Sequence, residues 1–368
     1  MSALVCTECQ ARHPLTAPIW RCRCGGLLDI VHTPKLDPAA VAKLPPTLWR
    51  YRDAMALAPH AQPITMGEGF TPLLPINLER VRFLAKLDQL FPTGSFKDRG
   101  AAVLMSQVAA LRIRTVVEDS SGNAGCAIAA YGARARIVCH IYVPSANSPG
   151  KLAQIAAYGA RLHRVPGTRQ DTADAALAAA EKAYYASHVW NPFFFEGTKT
   201  WAYEVCEQMG WRAPDAVVLP IGNGSLLLGA AIGFRELRDM GIIADVPRLI
   251  GVQAEGCAPL AQPYRQGLAE PTPVEAAQTV AEGIAIAAPK RGRQVLEAIH
   301  ASRGTVLTVD DDALAAVQHA LAQQGLYVEP TAAAGPAGVV RVRQLGVLPA
   351  GATVVTSLTG HGLKTLHA

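Results

Sequence analysis

The chain has 368 residues, half of them hydrophobic and 17% charged, which excludes a disordered protein and supplies enough apolar material for two or three packed units. Its formal net charge of +5 comes from 34 basic and 29 acidic residues spread along the sequence. No window clusters Lys and Arg or alternates them with aromatics, so a nucleic-acid surface is not expected. No apolar run reaches the ~20 residues that span a membrane, and the first residues lack the basic and apolar regions of a signal peptide. A cytoplasmic location, without membrane partners, is expected.

Eight cysteines fit that compartment as thiols or metal ligands. Cys126, Cys139, Cys206 and Cys257 fall in apolar segments and read as packed core thiols. The other four are grouped, Cys6 and Cys9 in "CTEC" and Cys22 and Cys24 in "CRCG". Two close pairs can converge on one tetrahedral zinc, which would be structural because four thiolates leave no open coordination position. The C-x-C spacing of the second pair is tighter than usual, and a ribbon that has lost its metal is the alternative. A proline-rich connector, "HTPKLDPAAVAKLPPTLWRY", then leads into the main body near Leu48.

From residue 114 onward, buried strands alternate with helices. "RTVVEDS" reads as a strand, "NAGCAIAAYGARA" as a helix and "RIVCHIYVP" as a strand. "KLAQIAAYGA" is helical, "RLHRVPG" extended, "TADAALAAAEKAYYA" helical, and a further helix covers 198–210. "DAVVLPIG", "PRLIGVQAEG", "GTVLTVD" and "ATVVTSL" read as strands, with helices in "SLLLGAAIGFRELRDMG", "DDALAAVQHALAQQG" and "TAAAGPAGVVRVRQLG". The pattern predicts an α/β protein with two open, twisted, doubly wound sheets and flanking helices.

Ligands bind such sheets at the carboxyl ends of the strands, where the distinctive loops lie. "PTGSFKDRG", residues 92–100, carries Lys97 behind a short flexible run, either as a surface cation or as a presented nucleophile. "SSGNAG", residues 120–125, follows a strand and offers the amide of Asn123. "GNGSLLLG", residues 222–229, also joins a strand to a helix. Its glycines, Ser225 and the helix terminus make a cradle for one phosphate. "TSLTGHGLK", residues 356–364, closes the last strand with Thr359 and His361. The dinucleotide fingerprint G-x-G-x-x-G is absent after these strands, so a single-phosphate cofactor fits better than a dinucleotide.

Taken together, the chain resembles the fold type II pyridoxal-phosphate enzymes, whose architecture is that of the tryptophan synthase β chain, and within them the threonine synthase family. The resemblance rests on "GEGFTPLLP" (67–75), "PTGSFKDRG", "SSGNAG", "GNGSLLLG", "VEPTAAA" (328–334) and "TGHGLK" (359–364), in that order. The cysteine-bearing amino terminus is also similar to one found in part of this family. The resemblance implies that Lys97 is the Schiff-base lysine and the base for the Cα proton. Asn123 would bond the cofactor's phenolic oxygen, Gly222, Asn223, Gly224, Ser225 and Leu226 would cradle its phosphate, and Thr359 would face the pyridine nitrogen. Ser120 and Ser121 are then candidates for the substrate carboxylate. A hydroxyl at the pyridine moderates the electron sink, so elimination and replacement at a β or γ carbon is the expected reaction class.

The substrate segment departs from the family pattern N-S-x-N-P-x-R-x-E-G-x-K-T. Here it reads "HVWNPFFFEGTKT", residues 188–200, with His188 and Val189 for the Asn-Ser pair and Phe194 for the arginine. His188 or Lys199 would have to replace that arginine toward a substrate phosphate. "TVAEGIAIAAP", residues 279–289, is closer to serine/threonine ammonia-lyases, with Glu282 either touching substrate or serving the loop. The leading expectation is a threonine synthase-like lyase acting on an activated, O-phosphorylated amino acid. The rival is an ammonia-lyase, or a β-replacement enzyme for another activated amino acid. The expected organisation is a zinc-ribbon-like segment and linker over 1–45, a larger α/β domain from 46–75 and 166–368, and a smaller one over 76–165. A homodimer is the family expectation.

Overall fold

Runs rich in Val and Ile form the strands, and alanine-rich runs form the helices that return the chain between them. The computed structural model describes residues 2–145 and 149–365. In chain order the strands are β1 (Ala3–Cys6), β2 (Arg12–His13), β3 (Leu28–Val31), β4 (Leu73–Leu78) and β5 (Val81–Lys86). Then come β6 (Thr115–Glu118), β7 (Val138–Pro144), β8 (Arg161–Val165) and β9 (Tyr184–Tyr185). The last four are β10 (Ala216–Pro220), β11 (Arg248–Ala254), β12 (Thr305–Val309) and β13 (Val354–Ser357). The chain divides into two units, one built from the residues up to Gly69 and from Lys97–Thr198, the other from Phe70–Phe96 and Lys199–Lys364.

The first unit holds two sheets. β1 pairs antiparallel with β2 and with β3, placing the amino-terminal cysteines at the turn ends of a small ribbon. A four-stranded parallel sheet runs in the order β8-β7-β6-β9. The helix Lys97–Ala110 is buried over nearly its whole length and packs beside Asn123–Ala135 and the short helix Phe193–Thr198. One difference from the sequence pattern lies here. "TADAALAAAEKAYYA" reads as one helix, but the helix Arg169–Ala179 stops early, and Tyr184 and Tyr185 pair with Val116 and Val117 of β6. Both tyrosines are buried, so packing on the sheet decides against continuing the helix.

The second unit holds one six-stranded sheet in the order β12-β11-β10-β13-β5-β4, parallel except for the β4–β5 hairpin. Its core joins Ile76 and Phe83 of that hairpin to Val218, Ile250 and Val252 of the central strands and to Val339 of the helix Pro330–Gln344. β10 and β13 are neighbours, with Val218 opposite Thr356, so the loops that leave their carboxyl ends start side by side. The strand order reverses between them, where open α/β sheets form their ligand crevice. The helical stretch read over 198–210 is Phe193–Thr198 followed by Thr200–Gln208. Among the described residues no helix is long and apolar enough to cross a membrane.

Candidate active site

In the first unit, Lys97 opens the buried helix Lys97–Ala110, and its Nζ lies 5.6 Å from the centroid of the Phe194 ring. Burial lowers its pKa to about 7; Glu118 opposes that shift and Arg169 adds to it. A lysine so placed is in large part a free amine near neutrality, the form that attacks a carbonyl or takes a proton.

Glu118 is the last residue of β6, and its Oε1 is 2.7 Å from Nδ1 of His188. Both side chains are buried. Burial, with Asp119 beside it, pushes the Glu118 pKa well up. Burial, with Lys97 and Arg169 nearby, pushes His188 well down. The two directions agree on a neutral carboxyl donating to a neutral imidazole. The His188 ring also meets the edge of Phe194, with centroids 6.1 Å apart. His188, Phe194 and Lys97 thus gather around one aromatic ring, whereas Lys199 is engaged by Glu236 at 3.0 Å in the second unit.

β6 continues into the serine loop. Ser120 is buried and its Oγ accepts from the Gly122 N–H at 3.2 Å. Ser121 is half-buried, and Asn123 is the first residue of the helix Asn123–Ala135.

The second unit carries the remaining motifs. Gly222 and Asn223 leave β10, Gly224 adopts φ 79°, and Ser225 and Leu226 open the helix Ser225–Asp239. A Cβ on Gly222 would fall 3.0 Å from Cα of Ile284 and 2.9 Å from Cγ1 of Ile286, so only glycine lets the 284–286 segment close over the loop. That contact also brings the Glu282 turn to the glycine loop, with the Glu282 side chain exposed. Thr359 follows β13; its Oγ1 is buried and, among the described residues, accepts and donates no hydrogen bond.

"PTGS" and "TGHGLK" are bonded to one another. Phe96 N donates to Thr359 O at 3.1 Å, His361 N to Gly94 O at 2.9 Å and Lys364 Nζ to Thr93 O at 2.6 Å. His361 is held against Tyr327, and its Nδ1 accepts from the Leu363 N–H at 3.1 Å.

The sequence pattern did not single out Glu118, Asp119 or Arg169. The signal for the first two was present, since adjacent acids at the end of a buried Val-Val strand have no packing reason to be there. Arg169 sits at the start of an ordinary surface helix, and nothing local marks it.

These groups suit the parts of pyridoxal phosphate: an amine for its aldehyde, a glycine loop at a helix terminus for its phosphate, and an orphaned hydroxyl for its ring nitrogen. Comparison with known proteins agrees. Residues 64–360 match the family described as pyridoxal-phosphate dependent enzyme. The chain is 33% identical to the threonine synthase of Methanocaldococcus jannaschii, across 98% of this chain and 92% of that protein. It is 35% identical to the threonine synthase of Methanosarcina acetivorans, across 99% and 92%. Among solved structures, the T.th. threonine deaminase superposes with a TM-score of 0.66 at 27% identity, covering 79% of this chain and 92% of that one. The chain belongs to the pyridoxal-phosphate-dependent enzymes, and within them to the threonine synthase family.

Proposed function

We propose that the protein catalyses a threonine synthase-type elimination and replacement on an O-phosphorylated amino acid, O-phosphohomoserine being the substrate to try first. The observation that carries the reading is Lys97, a half-buried lysine at the start of a buried helix, with Nζ 5.6 Å from the Phe194 ring centroid and a pKa lowered to about 7 by desolvation. Pyridoxal phosphate would supply the electron sink that makes the substrate Cα proton acidic. Lys97 would bind its aldehyde and take that proton. Asn123 would bond the phenolic oxygen, Gly222, Asn223, Gly224, Ser225 and Leu226 would hold the phosphate, and Thr359 would meet the ring nitrogen. Ser120 and Ser121 would orient the substrate carboxylate, and His188 and Glu282 would stand toward its side chain.

A second reading keeps the cofactor and changes the reaction to ammonia loss from threonine or serine. It is favoured by Phe194, which puts an aromatic ring at Lys97 where the family pattern has an arginine. Product analysis separates the two. Phosphate and threonine released from O-phosphohomoserine would establish the synthase reading. An ammonia-lyase would instead leave that compound intact and form 2-oxobutyrate from L-threonine.

The amino-terminal cysteines belong to the same proposal as a structural zinc site. Their ligand atoms all lie within 4.8 Å of one another, with Cys6 Sγ 3.4 Å from Cys24 Sγ and Cys9 Sγ 3.6 Å from Cys22 Sγ. The N–H groups of Glu8 and Cys9 point at Cys6 Sγ from 3.4 and 3.5 Å, as donors that favour a thiolate. A cytoplasmic homodimer completes the reading and is checked by sedimentation of the cofactor-loaded protein.

A further inference from the structure

The segment that the family pattern turns toward a substrate phosphate has no arginine here, because Phe194 stands in its place. An aromatic ring offers a dianion no hydrogen bond. Lys199, the one cation left in that segment, is held by Glu236 at 3.0 Å. A phosphorylated substrate therefore needs a cation from another part of the chain.

We propose that Arg169 is that cation: its guanidinium, together with the outward N–H of the His188 ring, binds the substrate's phosphate and sets the preference for a phosphate monoester. The proposal rests on the reading of the substrate as an O-phosphorylated amino acid. A guanidinium fork matches two phosphate oxygens at once, and it keeps its charge at every pH at which the protein is folded.

The topology of the first unit brings these groups to one edge. Asp119 directly follows β6, Arg169 follows the loop that leaves β8, and His188 follows β9, so all three stand at the carboxyl ends of one parallel sheet. The helix Arg169–Ala179 packs on β7 and β6, and its buried residues are Thr172 and Ala176. Arg169 begins that same stripe one turn earlier, which puts it on the sheet side of the helix and at the ligand-binding edge. Its guanidinium makes no hydrogen bond or salt bridge among the described residues and is exposed, so it is uncommitted. His188 is fixed as a donor by Glu118: the neutral carboxyl gives its proton to Nδ1 at 2.7 Å, which leaves the ring's own proton on Nε2. That nitrogen has no hydrogen-bond partner among the described residues.

The electrostatics agree with this placement. Burial is the first influence on Lys97, Asp119 and His188, and after it the charge of Arg169 lowers the pKa of each. One arginine therefore reaches the candidate cofactor lysine and both loops beside it. Glu118, Asp119 and His188 bring ligand atoms within 4.8 Å of one another, which could instead be read as a cation site. The surroundings oppose a cation. Glu118 is held neutral, Nδ1 of His188 is already taken by it, and Tyr185 of β9 hydrogen-bonds Asp119. With Arg169 in range, an anion is the ligand these groups favour.

The test uses the full chain loaded with pyridoxal phosphate and the variants Arg169→Gln and Arg169→Lys, both at an exposed position. The first readout is calorimetric binding of inorganic phosphate, which needs no turnover. The parent should bind it saturably, Arg169→Gln about tenfold or more weakly, and Arg169→Lys in between. The second readout is turnover of O-phosphohomoserine, in which Arg169→Gln should lower kcat/KM about thirtyfold or more, chiefly through KM. Exchange of the Cα proton of L-alanine with solvent deuterium involves no side-chain anion and should stay within about threefold of the parent. A loss of exchange in step with turnover overturns the proposal, because Arg169 would then serve Lys97 and not the substrate. Phosphate binding that is absent from the parent, or equal in the parent and Arg169→Gln, overturns it as well. Arg169-dependent phosphate binding in a parent inert toward O-phosphohomoserine supports the anion subsite and sinks the synthase reading. An active parent whose KM is unchanged in Arg169→Gln supports the synthase reading and sinks the subsite.

Discussion

The backbone N–H of Phe96 donates to the carbonyl of Thr359 at 3.1 Å, so the residue before the candidate cofactor lysine is tied to the residue whose hydroxyl is left over at the end of β13. The bridge between Ser95 and Gly360 continues the pairing. Two motifs more than 250 residues apart in sequence are therefore held in one register within the second unit. The chain leaves that paired segment directly into the helix that begins with Lys97.

Thr359→Val separates stability from cofactor binding. Its Oγ1 is buried and has no hydrogen-bond partner among the described residues, so replacing the hydroxyl with a methyl group of the same shape removes an unsatisfied polar atom. The cofactor-free protein should keep its stability or gain about 1 kcal/mol, measured by urea unfolding. The same variant should bind pyridoxal phosphate more weakly, by roughly 1 kcal/mol or about fivefold in Kd. Loss of stability with intact affinity would show that the hydroxyl serves the fold.

Lys97 should make the cofactor-free protein less stable below alkaline pH. Its folded pKa of about 7 lies below the ordinary lysine value of 10.5, so the unfolded chain binds more protons between those values. Stability should then rise with pH across that window and flatten above it. The span is about 5 kcal/mol at most, taken as about 1.4 kcal/mol per pH unit, and less because Lys97 is only half-buried. Lys97→Met should flatten the dependence and abolish turnover, while raising stability at neutral pH. Urea midpoints of parent and variant over a pH series check the sign.

The α/β architecture was legible because its signals are local: β-branched runs, alanine-rich helices, and glycine loops at strand ends. The glycine loop between β10 and its following helix was legible for the same reason, since Gly222 to Leu226 are contiguous. Lys97 needed the motif around it, because its helix is buried on nearly every face and shows no stripe that would mark it. The Glu118–His188 pair was invisible because it joins residues 70 positions apart through a hydrogen bond that no periodicity encodes. The β4–β5 hairpin escaped because its outer strand is largely exposed and its inner one carries two charged residues, which blurs the alternation. Tyr184 and Tyr185 were misread because the alanines before them favour a helix, while their own burial on β6 is a tertiary effect.

Metal removal should unfold the amino-terminal ribbon without abolishing the main fold. The strands β1 to β3 are short, and the cysteine cluster lies at their turns, where a bound metal would cross-link them. Purified protein should contain one zinc per chain, and Cys9→Ser or a strong chelator should remove it. Protease cleavage should then appear within the first thirty or so residues, followed by mass spectrometry, with the far-ultraviolet spectrum of the remainder preserved. A protein that carries no zinc and resists cleavage equally in parent and Cys9→Ser would make the ribbon metal-free.

Gly197→Ala should disturb the surroundings of Lys97 from a distance. A Cβ at Gly197 would fall 2.0 Å from the carbonyl oxygen of Arg99 and 2.8 Å from Cα of Gly100. The helices Phe193–Thr198 and Lys97–Ala110 would have to separate, because backbone cannot rotate away as a side chain does. The same helices carry Phe194 and Lys97, so the ring would move off the amine. The variant should lose more than about 2 kcal/mol and show reduced borohydride-trapped cofactor on Lys97. Gly210→Ala is the control, since nothing lies within 4 Å of its Cβ direction and only its φ of +69° opposes the substitution. That change should cost about 1 kcal/mol and leave trapping intact. Equal effects of the two substitutions would mean that the close approach at Gly197 can relax, and that Lys97 is positioned by other contacts.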